Sequence, residues 1–226
     1  KLYKSRHHLV SEWAIKNDIN MTHFEPKNKS DYHVHSSILN ECLKAATGNC
    51  CIVMGDYTYV EPKWIERHYL HHLNGWCATA QQIIYGLPNL KENLKQCISV
   101  FAEPFDAQTL KILPQYEMDM KLQLGYYSVD HRVCYNRNES FPREKALEIN
   151  GFDERYDFNV GPSNKEFYLR LIYEAKCKIA NDPDNYIHRI MSYSIPPFTQ
   201  FQSSELDNSR TMGIYKELCK KYNAEE

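Results

Sequence analysis

The sequence lacks an apolar run long enough to cross a membrane, and its first residues form no signal peptide. It also lacks a stretch basic enough to mark a nucleic-acid footprint, because 27 Lys and Arg residues are mixed along the chain with 29 Asp and Glu residues. We therefore expect no transmembrane segment in this chain and no nucleic-acid partner. The chain starts at Lys1 rather than Met, so the missing targeting segment says little about a longer parent protein.

The chain has eight cysteines but no Cys-x-x-C pair, which excludes a zinc-binding or thioredoxin-like motif. Cys50 and Cys51 are adjacent within an apolar run, where buried thiols act as small hydrophobic side chains. This usage favours a reducing compartment, and we expect the protein in the cytoplasm or at the cytoplasmic face of a membrane. Three Asn-x-Ser/Thr sequons, at Asn20, Asn28 and Asn138, argue the other way, but such sequons often arise by chance.

The length of the chain, 226 residues, suits one large domain better than two, and we treat residues 1–226 as a single domain. Tyrosine is unusually abundant, with 17 residues. A tyrosine ring stacks on a sugar while its hydroxyl forms hydrogen bonds, but tyrosine also replaces phenylalanine in cores. The composition leaves both uses open.

Helical and strand patterns alternate along the chain, which predicts an α/β fold. Helices are expected at residues 1–19, 36–47, 62–72, 143–149, 165–174 and 204–221. The firmest strand is Cys50–Met54, an apolar run that we expect to be parallel and central in the sheet. Further strands are expected at residues 78–84, 178–180 and 186–188, and a polar turn at residues 181–185 separates the last two.

An acidic residue directly follows the expected central strand. The order is Cys50–Met54, then Gly55-Asp56-Tyr57, then a helix with Pro62 in its first turn. Ligands of open α/β sheets bind outside the carboxyl ends of the strands, so Asp56 lies where a ligand is expected. The alternative is that Asp56 only caps a turn.

Three segments of the chain resemble the GT-A glycosyltransferases of the family-2 type. The first, Leu39–Ile65, has the order of a helix, an apolar strand, an acidic motif and a Pro-led helix. The second, Phe141–Asp157, contains Asn-Gly-Phe-Asp-Glu and resembles the Gly-Gly-Phe-Asp-Glu block of that family. The third, Gly161–Leu171, resembles the helix that carries the family's catalytic base. The likeness covers about residues 36–190.

This resemblance implies a fold and a reaction. The fold would be α/β and GT-A-like, with a mainly parallel central sheet flanked by helices, and with part of the domain missing on the N-terminal side. The reaction would move a sugar from a nucleotide-diphosphate donor to a glycan or lipid-linked acceptor. A Mn²⁺ or Mg²⁺ ion would neutralise the two phosphates and stabilise the leaving diphosphate.

The resemblance also assigns residues to the site. Asp56 and His188 would bind the metal, since carboxylate oxygens and neutral imidazole suit such ions. Gly151 would let the backbone turn and approach a sugar closely. The full set of substrate contacts would be Asn40, Tyr57, Asn150, Gly151, Ser163 and Asn164.

The chain departs from the family pattern at two places. The acidic motif keeps one carboxylate, Asp56, and the Glu-Asp pair that supplies the family's base is replaced by Ser163-Asn164. The nearest carboxylate is Glu166, which as the base would deprotonate the acceptor hydroxyl. Glu166 also lies four residues before Arg170, the spacing of an ordinary ion pair on a helix, and the sequence leaves both roles open.

Histidines offer further candidate ligands. His68 and His72 are four residues apart on the helix after Pro62, but no His-Glu-x-x-His motif is present. We interpret His68, His71 and His72 as part of a solvated helix face. His188 is either the metal ligand that the resemblance implies or an ordinary histidine at a strand end.

Two functions are consistent with this sequence. The first is an active transferase that uses a metal at Asp56 and His188. The second is a non-catalytic GT-A-like module that binds carbohydrate or scaffolds a larger assembly, which the two departures from the family pattern favour. A third interpretation is an unrelated α/β domain that matches by chance.

Overall fold

The computed structural model describes residues 7–22, 24, 35–55, 58–86, 115–118, 138–157, 162–191 and 209–225. The helices in this part of the chain are α1 (His7–Lys16), α2 (Ser36–Ala45), α3 (Trp64–Leu73), α4 (Arg143–Glu148), α5 (Ser163–Tyr173) and α6 (Ser209–Tyr222). The strands are β1 (Cys50–Met54), β2 (Thr58–Val60), β3 (Cys77–Gly86), β4 (Gln115–Met118), β5 (Asn138–Pro142) and β6 (Ile179–Met191). A short 3₁₀ turn covers Glu154–Tyr156.

The six described strands form one sheet in the order β1-β5-β3-β6-β2, and β4 pairs with β3. The α/β class with helices flanking a sheet is therefore confirmed. The detail of a mainly parallel sheet is wrong for the described strands, because only β3 and β6 run parallel. The pairs β1–β5, β3–β5, β3–β4 and β2–β6 are antiparallel.

Strand β5 accounts for much of the difference between the predicted parallel sheet and the observed antiparallel pairing. It begins with the polar run Asn-Glu-Ser, which gives no apolar strand signal, yet all five of its residues are buried. It pairs antiparallel with both β1 and β3 and so lies between them. Consequently Cys50–Met54 has the predicted bounds but stands at the end of the described strand order, half-buried and antiparallel to its neighbour, rather than inside a parallel sheet.

Strand β6 is one continuous element, where the sequence predicted two short strands and a turn. Its register with β3 shifts between Ala80, opposite Asp182, and Gln81, opposite Tyr186. Residues 183–185 therefore form a bulge inside the strand. Proline has no N–H to donate to a ladder, so Pro183 is compatible with a bulge.

The main core lies between the sheet and α5. The rings of Phe152 and Phe167 stack with centroids 3.9 Å apart. Tyr156, Tyr168 and Tyr215 are each at most 2% exposed. For these three tyrosines the structure favours the core interpretation over a sugar-stacking surface.

Helix α6 packs on α5 at the end of the described chain. The rings of Tyr173 and Tyr222 stack with centroids 4.9 Å apart. Lys221 donates a hydrogen bond to the Glu174 carboxylate at 3.2 Å, and the Tyr222 hydroxyl donates to the same oxygen. The C-terminal helix that the sequence predicted is thus an integral part of the fold.

Two expectations from the composition, on the cysteines and on membrane-spanning segments, also concern this part of the chain. The six described cysteines are free thiols: Cys42, Cys50, Cys51, Cys77, Cys177 and Cys219. Within the described ranges, no helix combines the length and the apolar character that crossing a bilayer requires.

Candidate functional site

The candidate site lies where strand β1 ends. Met54, the last residue of β1, pairs with Asn138 of β5, and the predicted metal ligand Asp56 follows two residues later. Asp56 and Tyr57 themselves lie outside the described residues, so their assigned roles stay predictions. The elements that border the site are β5, β6, α3 and the residues that follow β2.

His188, the second predicted metal ligand, forms a close pair with a carboxylate. The backbone pairing of β2 with β6 brings Glu61, the residue after β2, beside the imidazole. His188 Nε2 lies 2.6 Å from Glu61 Oε1. The His188 side chain is 10% exposed and that of Glu61 is 45% exposed, so the pair lies at the protein surface with its imidazole largely covered.

This pair gives a partial set of metal-binding groups. Metal-binding histidines commonly donate their other ring N–H to a carboxylate, and the hydrogen bond of His188 to Glu61 has that form. Among the residues that the structure describes, no three His, Cys, Asp or Glu side chains are grouped to hold an ion. The described residues therefore do not form a metal site by themselves, and the assignment of Asp56 and His188 as metal ligands stays a prediction.

Helix α3 places polar side chains against β5. Trp64 Nε1 donates to Asn138 Oδ1 at 2.6 Å. His68 Nε2 lies 2.9 Å from the same oxygen, and His68 Nδ1 lies 3.0 Å from Ser140 Oγ. Burial lowers the pKa of His68 to about 4, partly offset by the hydrogen bond to Asn138. His68 is therefore a buried, neutral histidine.

The same helix forms an ion pair with β6. Arg67 donates two hydrogen bonds to the Asp182 carboxylate, at 2.6 and 3.0 Å, and His71 Nε2 lies 3.1 Å from it. Burial alone would raise the pKa of Asp182, but the hydrogen bonds from His71 and Arg67 outweigh it and lower that pKa. An ionised Asp182 accepts only, so His71 is the donor in this contact.

The interpretation of these histidines as a solvated helix face is wrong. His68 is fully buried, and both His71 and His72 are partly buried. The physical reason is that the sheet face beneath α3 is polar, with Asn138, Ser140 and Asp182 as partners. Hydrophobic periodicity alone assigns polar helix positions to solvent and cannot detect such partners.

Asn40 holds a loop of the protein, and its predicted contact with substrate stays a prediction. Its Oδ1 accepts from the Phe152 N–H at 2.8 Å, while its Nδ2 donates to the Phe152 carbonyl at 2.9 Å and to Glu154 Oε1 at 3.0 Å. A Cβ atom on Gly151, which has φ +71°, would lie 2.3 Å from Asn40 Oδ1. Gly151 therefore permits a close approach to Asn40, and its predicted approach to a sugar stays a prediction.

Asn150 and Gly151 end helix α4. Asn150 has φ +61°, its N–H donates to the Leu147 carbonyl at 3.0 Å, and the Gly151 N–H donates to the Ala146 carbonyl at 2.7 Å. These two bonds, with a left-handed residue after the helix, define a Schellman cap. The special residue types at these positions thus have a structural explanation, and their substrate-binding role stays a prediction.

Glu166, the predicted base, is fully buried and bonded to Arg170. Arg170 Nη2 donates to Glu166 Oε2 at 3.0 Å, and Arg170 Nε donates to the other carboxylate oxygen. Arg170 also donates to the carbonyls of Ile149, at 2.6 Å, and Gly151, at 2.8 Å. Burial raises the pKa of Glu166, against the opposing effect of Arg170. Of the two roles that the sequence left open, this geometry is that of the ion pair.

Ser163 and Asn164 are the first residues of α5, where the family has its acidic pair. Both are half-buried, and the Ser163 hydroxyl donates to Asn164 Oδ1 at 3.1 Å. Neither side chain is a base at neutral pH. Both residues lie in the first turn of α5, and their assigned contact with substrate stays a prediction.

Asp157 is a residue whose structural role the sequence did not suggest. Its carboxylate accepts from the backbone N–H groups of His35, at 2.9 Å, and Ser36, at 2.7 Å, and more weakly from that of Ser37. It therefore caps helix α2 from about 120 residues away. No local motif encodes this contact, because helix caps are recognised from adjacent residues.

A surface cavity of about 430 Å³ runs along α5, beside the loop that Asn40 holds. Its lining includes Asp153, Glu154, Arg155 and Glu174. Burial would raise the pKa of Asp153, but hydrogen bonds from Arg155 outweigh it and lower that pKa. The charges of the cavity are thus largely paired within the protein.

Comparison with known proteins adds evidence on the fold. No family model matches the chain, and no curated protein sequence matches it. Solved structures do: GalNAc-T7 with UDP, GalNAc and Mn²⁺ matches with a TM-score of 0.58 and 12% identity, over 96% of this chain and 40% of that one. S. aureus TarS 1-349 with UDP matches with a TM-score of 0.55 and 9% identity, over 96% and 59% of the two chains.

A second structure of TarS 1-349, with UDP-GlcNAc, has a TM-score of 0.50 at 8% identity and covers 60% of that chain. At such identities the likeness establishes the fold alone. The chain has a GT-A-like fold. It spans about two fifths to three fifths of the structures that it matches.

Proposed function

We propose that this chain belongs to a glycosyltransferase that moves a sugar from a nucleotide-diphosphate donor to a glycan or lipid-linked acceptor. The observation that carries the proposal is the GT-A-like fold, which the chain shares with GalNAc-T7 bound to UDP and Mn²⁺ and with TarS bound to UDP-GlcNAc. A uridine-diphosphate sugar is accordingly the first donor to test. Asp56 follows the strand β1 that ends at the candidate site, where such folds place their ligands.

The proposed site has a metal side and an acceptor side. Asp56 and His188 would hold Mn²⁺ or Mg²⁺, with Glu61 orienting the imidazole through its hydrogen bond. A bound cation would offset the negative charge of the diphosphate as it leaves. Tyr57 would contact the donor, and the first turn of α5 at Ser163-Asn164 would face the acceptor.

The experiment that tests this proposal measures donor binding. Calorimetry of the chain with UDP, with and without Mn²⁺, should show binding that depends on the metal. The Asp56→Asn variant should lose that metal-dependent binding, because it removes the ligand charge. Asp18→Asn, a matched change at an exposed position, should bind as the unaltered chain does. Equal binding by Asp56→Asn and the unaltered chain would remove the metal-site claim.

A non-catalytic carbohydrate-binding or scaffolding module is the second candidate. The observation in its favour is that Glu166 is bonded to Arg170 and that Ser163 and Asn164 are not acids. Such a module would bind sugars through the same fold without transferring them.

The Glu166→Gln variant separates the two roles of Glu166, catalytic base and ion-pair partner of Arg170. If Glu166 is the base, turnover of a donor and acceptor pair should fall by at least ~100-fold while donor binding is retained. If Glu166 only pairs with Arg170, the variant should lower the melting temperature, because it leaves a buried guanidinium without its counter-charge. Turnover that survives in a destabilised variant would end the base assignment.

A further inference from the structure

The hydrogen-bonded group of Trp64, His68 and Asn138 lies at the carboxyl end of β1. Asn138 is 3% exposed and pairs with Met54, the last residue of β1. The two side chains from α3 reach it from beneath the sheet. A buried network at this point lies between the end of β1 and strand β6.

The geometry fixes the proton positions of this network. Trp64 Nε1 is a donor only, so the Asn138 atom 2.6 Å away is the carbonyl oxygen of its amide. The same oxygen lies 2.9 Å from His68 Nε2, which must therefore carry a hydrogen. His68 Nδ1 is then the acceptor for the Ser140 hydroxyl at 3.0 Å. His68 is neutral, with one tautomer and both ring nitrogens bonded.

This orientation aims the amide nitrogen of Asn138 at strand β6. Asn138 Nδ2 donates to the Asn185 carbonyl at 3.3 Å, within the bulge at residues 183–185. Asn185 is three residues before His188. One side chain thus connects the end of β1 to the segment of β6 that leads to His188.

We propose that Trp64, His68 and Asn138 are positioning residues that hold the β6 bulge and thereby the position of His188, and so set the affinity for the nucleotide donor. This inference rests on the proposed function, because it concerns the same donor site. Two donors from α3 hold the Asn138 oxygen, which leaves its NH₂ group in one direction. Without these two donors the Asn138 amide can rotate, and its hydrogen bond to the Asn185 carbonyl in the β6 bulge weakens.

The first test concerns the hydrogen bonds of Trp64, His68 and Asn138, and it needs no enzymatic activity. Long-range ¹H–¹⁵N NMR of the chain should show His68 as the neutral Nε2–H tautomer throughout the range from pH 5 to 8. An Nδ1–H tautomer, or titration near the ordinary histidine value of about 6.5, would overturn the assigned geometry.

The second test measures donor affinity. Trp64→Phe keeps an aromatic ring but removes the indole donor, and it should weaken Mn²⁺-dependent UDP binding by about threefold to tenfold, the worth of one neutral hydrogen bond. The donor KM should rise while kcat stays unchanged, a split that general destabilisation would not produce. Trp13→Phe, at a 56% exposed tryptophan, is the matched control and should bind normally.

The outcomes separate this inference from the proposed function. If the unaltered chain binds UDP and Trp64→Phe binds equally well, the positioning role is wrong and the glycosyltransferase proposal stands. If the unaltered chain binds no nucleotide, both fail. If His68→Gln, whose amide can also donate and accept, binds more tightly than His68→Phe, the hydrogen bonds rather than the ring shape carry the effect.

Discussion

At the scale of single residues, side chains distant in sequence hold the loop at residues 149–157, which follows α4. Asn40 bonds to the backbone of Phe152, Arg170 to the carbonyls of Ile149 and Gly151, and Asp157 in turn caps α2. Each contact satisfies backbone groups that no helix or strand pairs. The conformation of this loop therefore depends on a few polar side chains.

The Gly151→Ala variant tests how tightly this loop is held. It should lower the free energy of unfolding by roughly 3 kcal/mol, since it adds the strain of a positive φ to a clash with Asn40 Oδ1. Urea denaturation measures the loss. Gly75→Ala is the matched control, because Gly75 has φ +72° with no atom within 4 Å of its added Cβ. Equal losses in the two variants would show that the Asn40 contact contributes nothing.

At the scale of elements, the local pattern of apolar residues in the sequence predicted the bounds of several helices and of one strand. The bounds of β1 were correct to the residue, and α2, α3 and α5 were placed within two or three residues of their observed ends. Apolar spacing, with Gly48 after α2, carries this information. The α/β class could accordingly be predicted from patterning, whereas the GT-A-like fold was predicted from the resemblance of three segments to that family.

Strand β5 and the β6 bulge could not be predicted, for one physical reason. Asn138, Ser140 and Asp182 are buried polar residues whose partners lie on α3, some 70 to 115 residues away in the chain. A polar run is ordinarily exposed, and only its tertiary partners make burial favourable. The candidate site also depends on tertiary contacts, since the resemblance predicted His188 as a metal ligand but gave no sign of its contact with Glu61.

At the scale of the whole molecule, the two faces of the sheet differ in chemistry. Successive residues of a strand face opposite sides, so Ser140 contacts α3 while Phe141 packs on Phe167 of α5. One face is thus an aromatic core and the other a buried polar network. Burial of apolar surface stabilises the first, whereas the second contributes only while its hydrogen bonds and charges are maintained.

This difference predicts how the stability of the molecule depends on pH. Burial holds the pKa of His68 at about 4 in the folded protein, below the ordinary value of 6.5. Between these values the unfolded chain binds a proton that the folded chain does not, so stability should fall as the pH decreases from about 6.5 to 4. The difference of about 2.5 pKa units corresponds to a loss of roughly 3 kcal/mol, and above pH 6.5 this contribution is constant.

Urea denaturation at a series of pH values measures this loss. Carboxylates such as Asp182 also take up protons in acid, so the informative quantity is the difference between the unaltered chain and His68→Gln, which has no imidazole to protonate. That difference should shrink as the pH falls from 6.5 to 4, because only the unaltered chain loses the histidine contribution. A difference that stays constant over this range would mean that His68 is not held neutral, and the polar face of the sheet would then need another account of its stability.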